Sequence, residues 1–173
     1  FTWIDSQKKG ETIGRGVMQV ANHSDEGKRV YVKQKQFTVP LLPNFAVNRY
    51  SVKAFNFSYY HFRKRKVSDR QYFLNFFYPL NSFRKWNRVY GTKGFIEYQV
   101  VIPHSNAYKI INKILYSVTK SGLGSTIAAI KPLSKSKGLF SFPINGITLA
   151  IDFAYDTRVL ELLNYLDDIL IEK

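Results

Sequence analysis

Residues 94–102 alternate apolar and polar side chains: Ile96, Tyr98, Val100 and Ile102 on one side, Glu97 and Gln99 on the other. That period of two predicts a half-buried strand, stopped by Pro103. Ser105 or Asn106 is placed to cap a following helix over 105–120. Its apolar residues Tyr108, Ile111, Leu115 and Val118 recur at helical spacing up to Gly122. Ser125 to Ile130 reads as a second strand and 135–138 as a polar loop. Ile147 to Phe153 is a third strand, with Ile147, Leu149, Ile151 and Phe153 apolar and Thr148, Ala150 and Asp152 pointing away. Asp156 or Thr157 then opens a helix over 157–171 carrying Leu160, Leu163, Leu166 and Leu170. The order β-α-β-β-α is a ferredoxin-like split βαβ half that stops before its last strand. The predicted fold is α+β: an antiparallel sheet with both helices on one face.

The first 93 residues have a weaker period. Phe1 to Asp5 reads as a strand, as do 15–23 and 29–34, joined by a turn at Asp25-Glu26-Gly27. Pro40 and Pro43 mark a loop, 45–65 reads as helix, 71–78 as strand, and 79–90 as a loop with one helical turn. The chain opens inside a strand and its last helix reaches Lys173 without a closing glycine. It is therefore expected to be a single 1–173 domain taken from a longer protein.

Charge changes this picture. The net charge of the 173 residues is +14, and the segment 28–93 carries fifteen Lys/Arg against one acid, Asp69. The same segment holds 17 of the 28 aromatic residues. Such a surface attracts phosphate-bearing partners: nucleic acid, anionic lipid headgroups or a phosphorylated ligand. Arg63 to Lys66 beside Tyr59, Tyr60 and Phe62 gives an alternative reading as a basic-aromatic nucleic-acid-binding module. No apolar run approaches the ~20 residues of a membrane span, so the chain is expected in the cytoplasm or peripherally at a membrane.

Chemistry-bearing motifs are sparse. There is no cysteine, and His23, His61 and His104 have no metal-ligand spacing. Gly10, Gly14 and Gly16 match neither a dinucleotide fingerprint nor a Walker loop. What remains is the sheet face turned away from the helices, presenting Glu97, Gln99, Thr148, Asp152 and Lys131.

Seven stretches in register carry a resemblance. They are Phe1–Asp5 (FTWID), Gly14–Gly16 (GRG), Phe77–Leu80 (FYPL), Trp86–Gly91 (WNRVYG), Gly94–Pro103 (GFIEYQVVIP), Lys131, and Ser141 to Phe153 (SFPI through Gly146 to DF). In this order they resemble the substrate-binding (cap) region of decaprenylphosphoryl-ribose oxidase-like proteins. These are FAD-linked oxidoreductases of the vanillyl-alcohol-oxidase class, related to the aldonolactone oxidases (D-arabinono-lactone oxidase-like).

The resemblance implies an FAD-binding domain outside this chain and a sugar or sugar-phosphate lipid as substrate. It puts Tyr98 and Gln99 near the flavin, and Lys131 and Tyr78 at the substrate. Mycobacterial members have a cysteine where Ala150 stands and an asparagine where Thr148 stands. On this reading Gln99, Lys131, Tyr78, Glu97, Thr148 and Asp152 bind substrate, and Tyr98 and Gln99 face the cofactor. No catalytic set is complete here and no metal is used. The isolated chain is expected to be inactive and to bind no FAD. The basic segment would sit at an anionic membrane, each Lys/Arg near the surface contributing about 1 kcal/mol.

Overall fold

The computed structural model describes residues 1–24, 36–63, 70, 72–135, 137 and 144–171. In chain order the elements are β1 (Thr2–Ile4), β2 (Gly16–Met18), β3 (Phe37–Thr38), α1 (Arg49–Arg63), α2 (Phe73–Phe77) and β4 (Phe83–Arg84). Then come β5 (Phe95–Pro103), α3 (His104–Ser121), β6 (Ala128–Leu133), β7 (Gly146–Ala154) and α4 (Thr157–Ile171). Short 3-10 turns lie at Gly10–Thr12, Pro79–Ser82 and Trp86–Tyr90.

Five strands form one antiparallel sheet in the order β2-β1-β6-β7-β5. β7 lies between β5 and β6, which run parallel to each other, so β5-α3-β6-β7-α4 has the split βαβ topology expected from the pattern. Both α3 and α4 bury their apolar sides against the same sheet face. Ile114, Leu115 and Val118 of α3 and Val159, Leu162, Leu166 and Ile169 of α4 share one cluster with Ile102, Leu149, Ile151 and Phe153. The α+β fold is as predicted. Two parallel strands β3 and β4 make a separate two-stranded sheet.

Several boundaries and faces differ from expectation, each for a local reason. α3 begins directly at His104 with Pro103 as its N-cap and no side-chain cap, so neither Ser105 nor Asn106 performs that role. Pro103 ends its pairing with Gly146 and enters the helix in one step at φ −53°. In α4 the expected Leu163, Leu166 and Leu170 do pack on the core, but Leu160 is exposed and Val159, Leu162 and Ile169 are buried beside them. Its apolar sector is wide, and packing on α3 and the sheet sets where the buried stripe is centred. At the helix start Asp156 does cap, accepting the Arg158 backbone N–H at 2.9 Å.

β6 starts at Ala128 rather than Ser125. The Ser125 hydroxyl donates to the Ile127 carbonyl (2.8 Å) and accepts from its N–H (2.9 Å), closing a local turn instead of a ladder. The strand runs on through Pro132, where β6 is paired only with β7, so the missing N–H faces the unpaired side. Residues 15–23 shrink to Gly16–Met18, the length that pairs with β1. The 71–78 segment contains the single helical turn α2 and no strand. Its aromatics mimic strand composition, but Phe76 packs on Phe1 instead of extending a sheet. The expected strand 29–34 and the turn before it lie outside the described residues.

The second sheet face is not wholly open, contrary to a simple two-layer picture. α1, found inside the predicted 45–65 helix, lies across its β1 side. Tyr59 packs on Trp3 with ring centroids 4.6 Å apart, and Asn56, fully buried, donates to Asp5 Oδ1 (3.1 Å) and the Ser125 carbonyl (3.0 Å). Asp5 also accepts from Arg15 at 2.7 Å, and that guanidinium stacks over Tyr60. Ser6 and Ser125 exchange two further buried bonds. Gly16 leaves space in this corner, because a Cβ there would run into the Trp3 carbonyl oxygen. The polar knot thus ties β1, β2, α1 and the lead into β6 together. Asp5→Ala should lower stability by about 2–4 kcal/mol, since it strands the Arg15 guanidinium and the Asn56 amide together. Chemical denaturation checks this; a loss below about 0.5 kcal/mol would show that the knot is not under tension with the fold.

Candidate functional site

Residues directly opposite one another in an antiparallel ladder share a face, so the register fixes what the second face displays. Glu97 lies opposite Asp152, Gln99 opposite Ala150, and Val101 opposite Thr148 on the β5–β7 pair. On the β6–β7 pair Lys131 lies opposite Thr148 and Ala129 opposite Ala150. Trp3 lies opposite Ala129 on the β1–β6 pair. Glu97, Gln99, Lys131, Thr148 and Asp152 therefore stand together on the face away from α3 and α4, as their alternation implied.

This face has a middle row of Trp3, Ala129, Ala150 and Gln99. Two adjacent alanines make a low floor about two strand spacings wide, or ~10 Å, between an indole and an amide. To one side of that row lie Lys131 and Thr148. Lys131 is exposed, and the buried Thr148 hydroxyl donates to the Val100 carbonyl at 2.9 Å. Gln99, also exposed, donates its amide to Thr148 Oγ1 at 3.3 Å. Thr148 thus orients Gln99 while its own proton is committed to the backbone.

On the other side of the row sit Glu97, exposed on the edge strand, and Asp152, which is covered. The Trp86–Tyr90 turn packs on Phe95, with Tyr90 stacked at 4.9 Å and Trp86 tilted at 5.1 Å between ring centroids. Phe95 shares the face of Glu97 by alternation. Asp152 is only 5 % exposed. Burial, and then the neighbouring Glu97 carboxylate, push its carboxyl up to about 7. A buried acid at that value titrates near neutrality and can accept or return a proton. Tyr90 is buried too, with the Thr126 and Ser125 side chains close to its hydroxyl but neither in good hydrogen-bond geometry. Burial and the Asp152 charge together keep the Tyr90 phenol protonated.

Sequence reasoning passed over Tyr90 and Asn56. The WNRVYG stretch flagged the first, but no periodicity distinguished a roofing phenol from a loop aromatic. Two expected site residues are elsewhere. Tyr98 points to the helix side, where its hydroxyl donates to Asp167 Oδ1 at 3.0 Å. Burial and that acceptor raise its phenol above the ordinary range. It stands on the opposite sheet face from Gln99, so the Tyr-Gln pair does not act from one surface. Tyr78 is exposed at the end of α2, beside Phe77, and its side chain makes no hydrogen bond or ring contact with the polar strip.

No family model matches the chain. It is similar to the decaprenylphosphoryl-β-D-ribose oxidase of Mycolicibacterium smegmatis (strain ATCC 700084 / mc(2)155), with 25% identity over 181 aligned residues. The alignment takes in 98% of this chain and 39% of the oxidase, so the chain spans well under half the length of that relative. The polar sheet face thus belongs to a chain that is, from end to end, a distant relative of part of a sugar-lipid oxidase.

Proposed function

We propose that this chain is the substrate-binding domain of an FAD-linked oxidoreductase that oxidises a sugar carbinol, with a polyprenyl-phosphate sugar as substrate. The observation that carries the reading is the end-to-end similarity to the oxidase in a chain whose free sheet face collects Gln99, Lys131, Thr148 and Asp152. FAD, gripped by a domain outside this chain, would supply the hydride acceptor. The local surface fits a flat ring carrying carbonyl oxygens: a floor of Ala129 and Ala150 beside donors from Gln99 and Lys131.

The residues divide the work by chemistry. Lys131 supplies an ammonium for a phosphate oxygen or for negative charge growing on the carbinol oxygen. Gln99 both donates and accepts, which suits a sugar hydroxyl, and Thr148 holds it in place. Asp152, buried beside Glu97 on the other side of the row, is out of a substrate's reach and bears on the site through its charge.

The test is made on a longer protein that contains this chain together with its flavin-binding partner domain. Anaerobic addition of a polyprenylphosphoryl pentose should bleach the flavin absorbance band, and the free pentose should do so far more slowly. A longer protein with no bound flavin, or with flavin untouched by the sugar lipid, would overturn the reading.

A further inference from the structure

We propose that the outward face of α1 is a docking surface for an anionic lipid bilayer. The helix is built inside out for a surface helix. At 100° per residue its inner sector holds the buried Val52 and Asn56, with Tyr59 and Tyr60 half-buried beside them. Its outer half consists of Tyr50, Ser51, Ala54, Phe57, Ser58, His61 and Phe62, with Phe55 at its edge, and contains no Lys, Arg, Asp or Glu. Those rings are open to solvent: Phe62 is 82 % exposed, Tyr50 75 %, Phe57 54 % and Phe55 47 %. Lys53 is exposed at its edge, Arg49 and Arg63 are exposed at its two ends, and the sequence continues into Lys64, Arg65 and Lys66. Aromatics on the outward face with bases at the rim are the pattern of a helix lying in a headgroup layer.

Charge selects the occupant. The segment 28–93 carries fifteen bases and one acid, so a second copy would bring like charge against like. A phosphate-rich membrane surface answers both features at once, taking the rings into the acyl boundary and the bases among the headgroups. A nucleic acid would answer chiefly the second, since this largely apolar face offers only a few polar side chains, Tyr50 and Ser58 among them, to a phosphate or base edge. The proposal does not depend on the redox reading, because it concerns a different surface and needs no flavin.

The experiment is co-sedimentation of the purified 173-residue chain with phosphatidylcholine vesicles, either neutral or one-third phosphatidylglycerol. Binding is expected to the anionic vesicles and to fall steeply with added salt. Tyr50→Gln/Phe57→Gln/Phe62→Gln should lower the partition coefficient by about a hundredfold with an unchanged melting temperature, because these rings make few internal contacts. Arg49→Gln/Lys53→Gln/Arg63→Gln should flatten the salt dependence. Failure to bind anionic vesicles, or binding that ignores both variants, would overturn the proposal. So would a concentration-dependent dimer that the aromatic variant abolishes, or single-stranded oligonucleotide binding that the aromatic variant weakens as strongly as vesicle binding.

Discussion

In a longer protein that carries the flavin-binding domain, Lys131→Ala should cut turnover by about a hundredfold, the usual scale for losing one donor to developing charge. Its melting temperature should stay within about a degree of wild type, because Lys131 is exposed on β6 and pairs with no carboxylate among the described residues. That combination separates a functional lysine from a structural one. A lysine that only solvates the strand end near Pro132 would lose neither stability nor rate. Lys131→Arg keeps the charge but spreads it over a planar fork, so it should restore only part of the rate. Wild-type flavin reduction by the sugar lipid in Lys131→Ala would remove the lysine from the site.

Gln99 behaves differently because it is tethered. Its amide already donates to Thr148, which in turn is committed to Val100. Removing the Thr148 hydroxyl should misplace the amide, with its effect on substrate affinity more than on the chemical step. The alanine floor explains why bulk matters in the same row. Ala150 lies between Ala129 and Gln99, so a larger side chain there fills the space a flat ligand would occupy.

The last 80 residues were readable because each element obeyed a single clear rule. β7 alternates throughout and β5 does so from Ile96 to Val100, so the shared face of Glu97, Gln99, Thr148 and Asp152 followed from spacing alone. α4 was found with three of its four expected core residues and without Val159, Leu162 and Ile169, since a helix apolar over a wide sector does not declare where its buried stripe is centred. The first 93 residues obey no single period for physical reasons. β1 and β2 are three residues long and owe their position to the buried Asp5–Arg15–Asn56 bonds, which a sequence pattern does not encode. α1 defeated the usual rule because its exposed side is the aromatic one. Tyr98 shows the limit of motif transfer: adjacent strand residues face opposite ways, and its hydroxyl is spent on Asp167.

Asp152→Asn should make the chain more stable at pH 8 and leave it unchanged near pH 4. In the folded chain the carboxyl is raised to about 7 by burial first and by Glu97 second, against about 3.9 in the unfolded chain. Below the unfolded value both states are protonated and the group costs nothing. Between about 4 and 7 the folded state holds a proton that the unfolded state has released, so wild-type stability falls as pH rises. Above 7 the full cost remains, on the order of 2–3 kcal/mol after allowance for relaxation around the carboxylate. The neutral amide removes that slope, which corresponds to a melting temperature higher by roughly 5–10 °C at pH 8. Glu97→Gln should move that stability slope to lower pH and keep it, because the folded carboxyl loses its charged neighbour. A stability curve with the same slope in Asp152→Asn as in wild type would show that this carboxyl titrates normally.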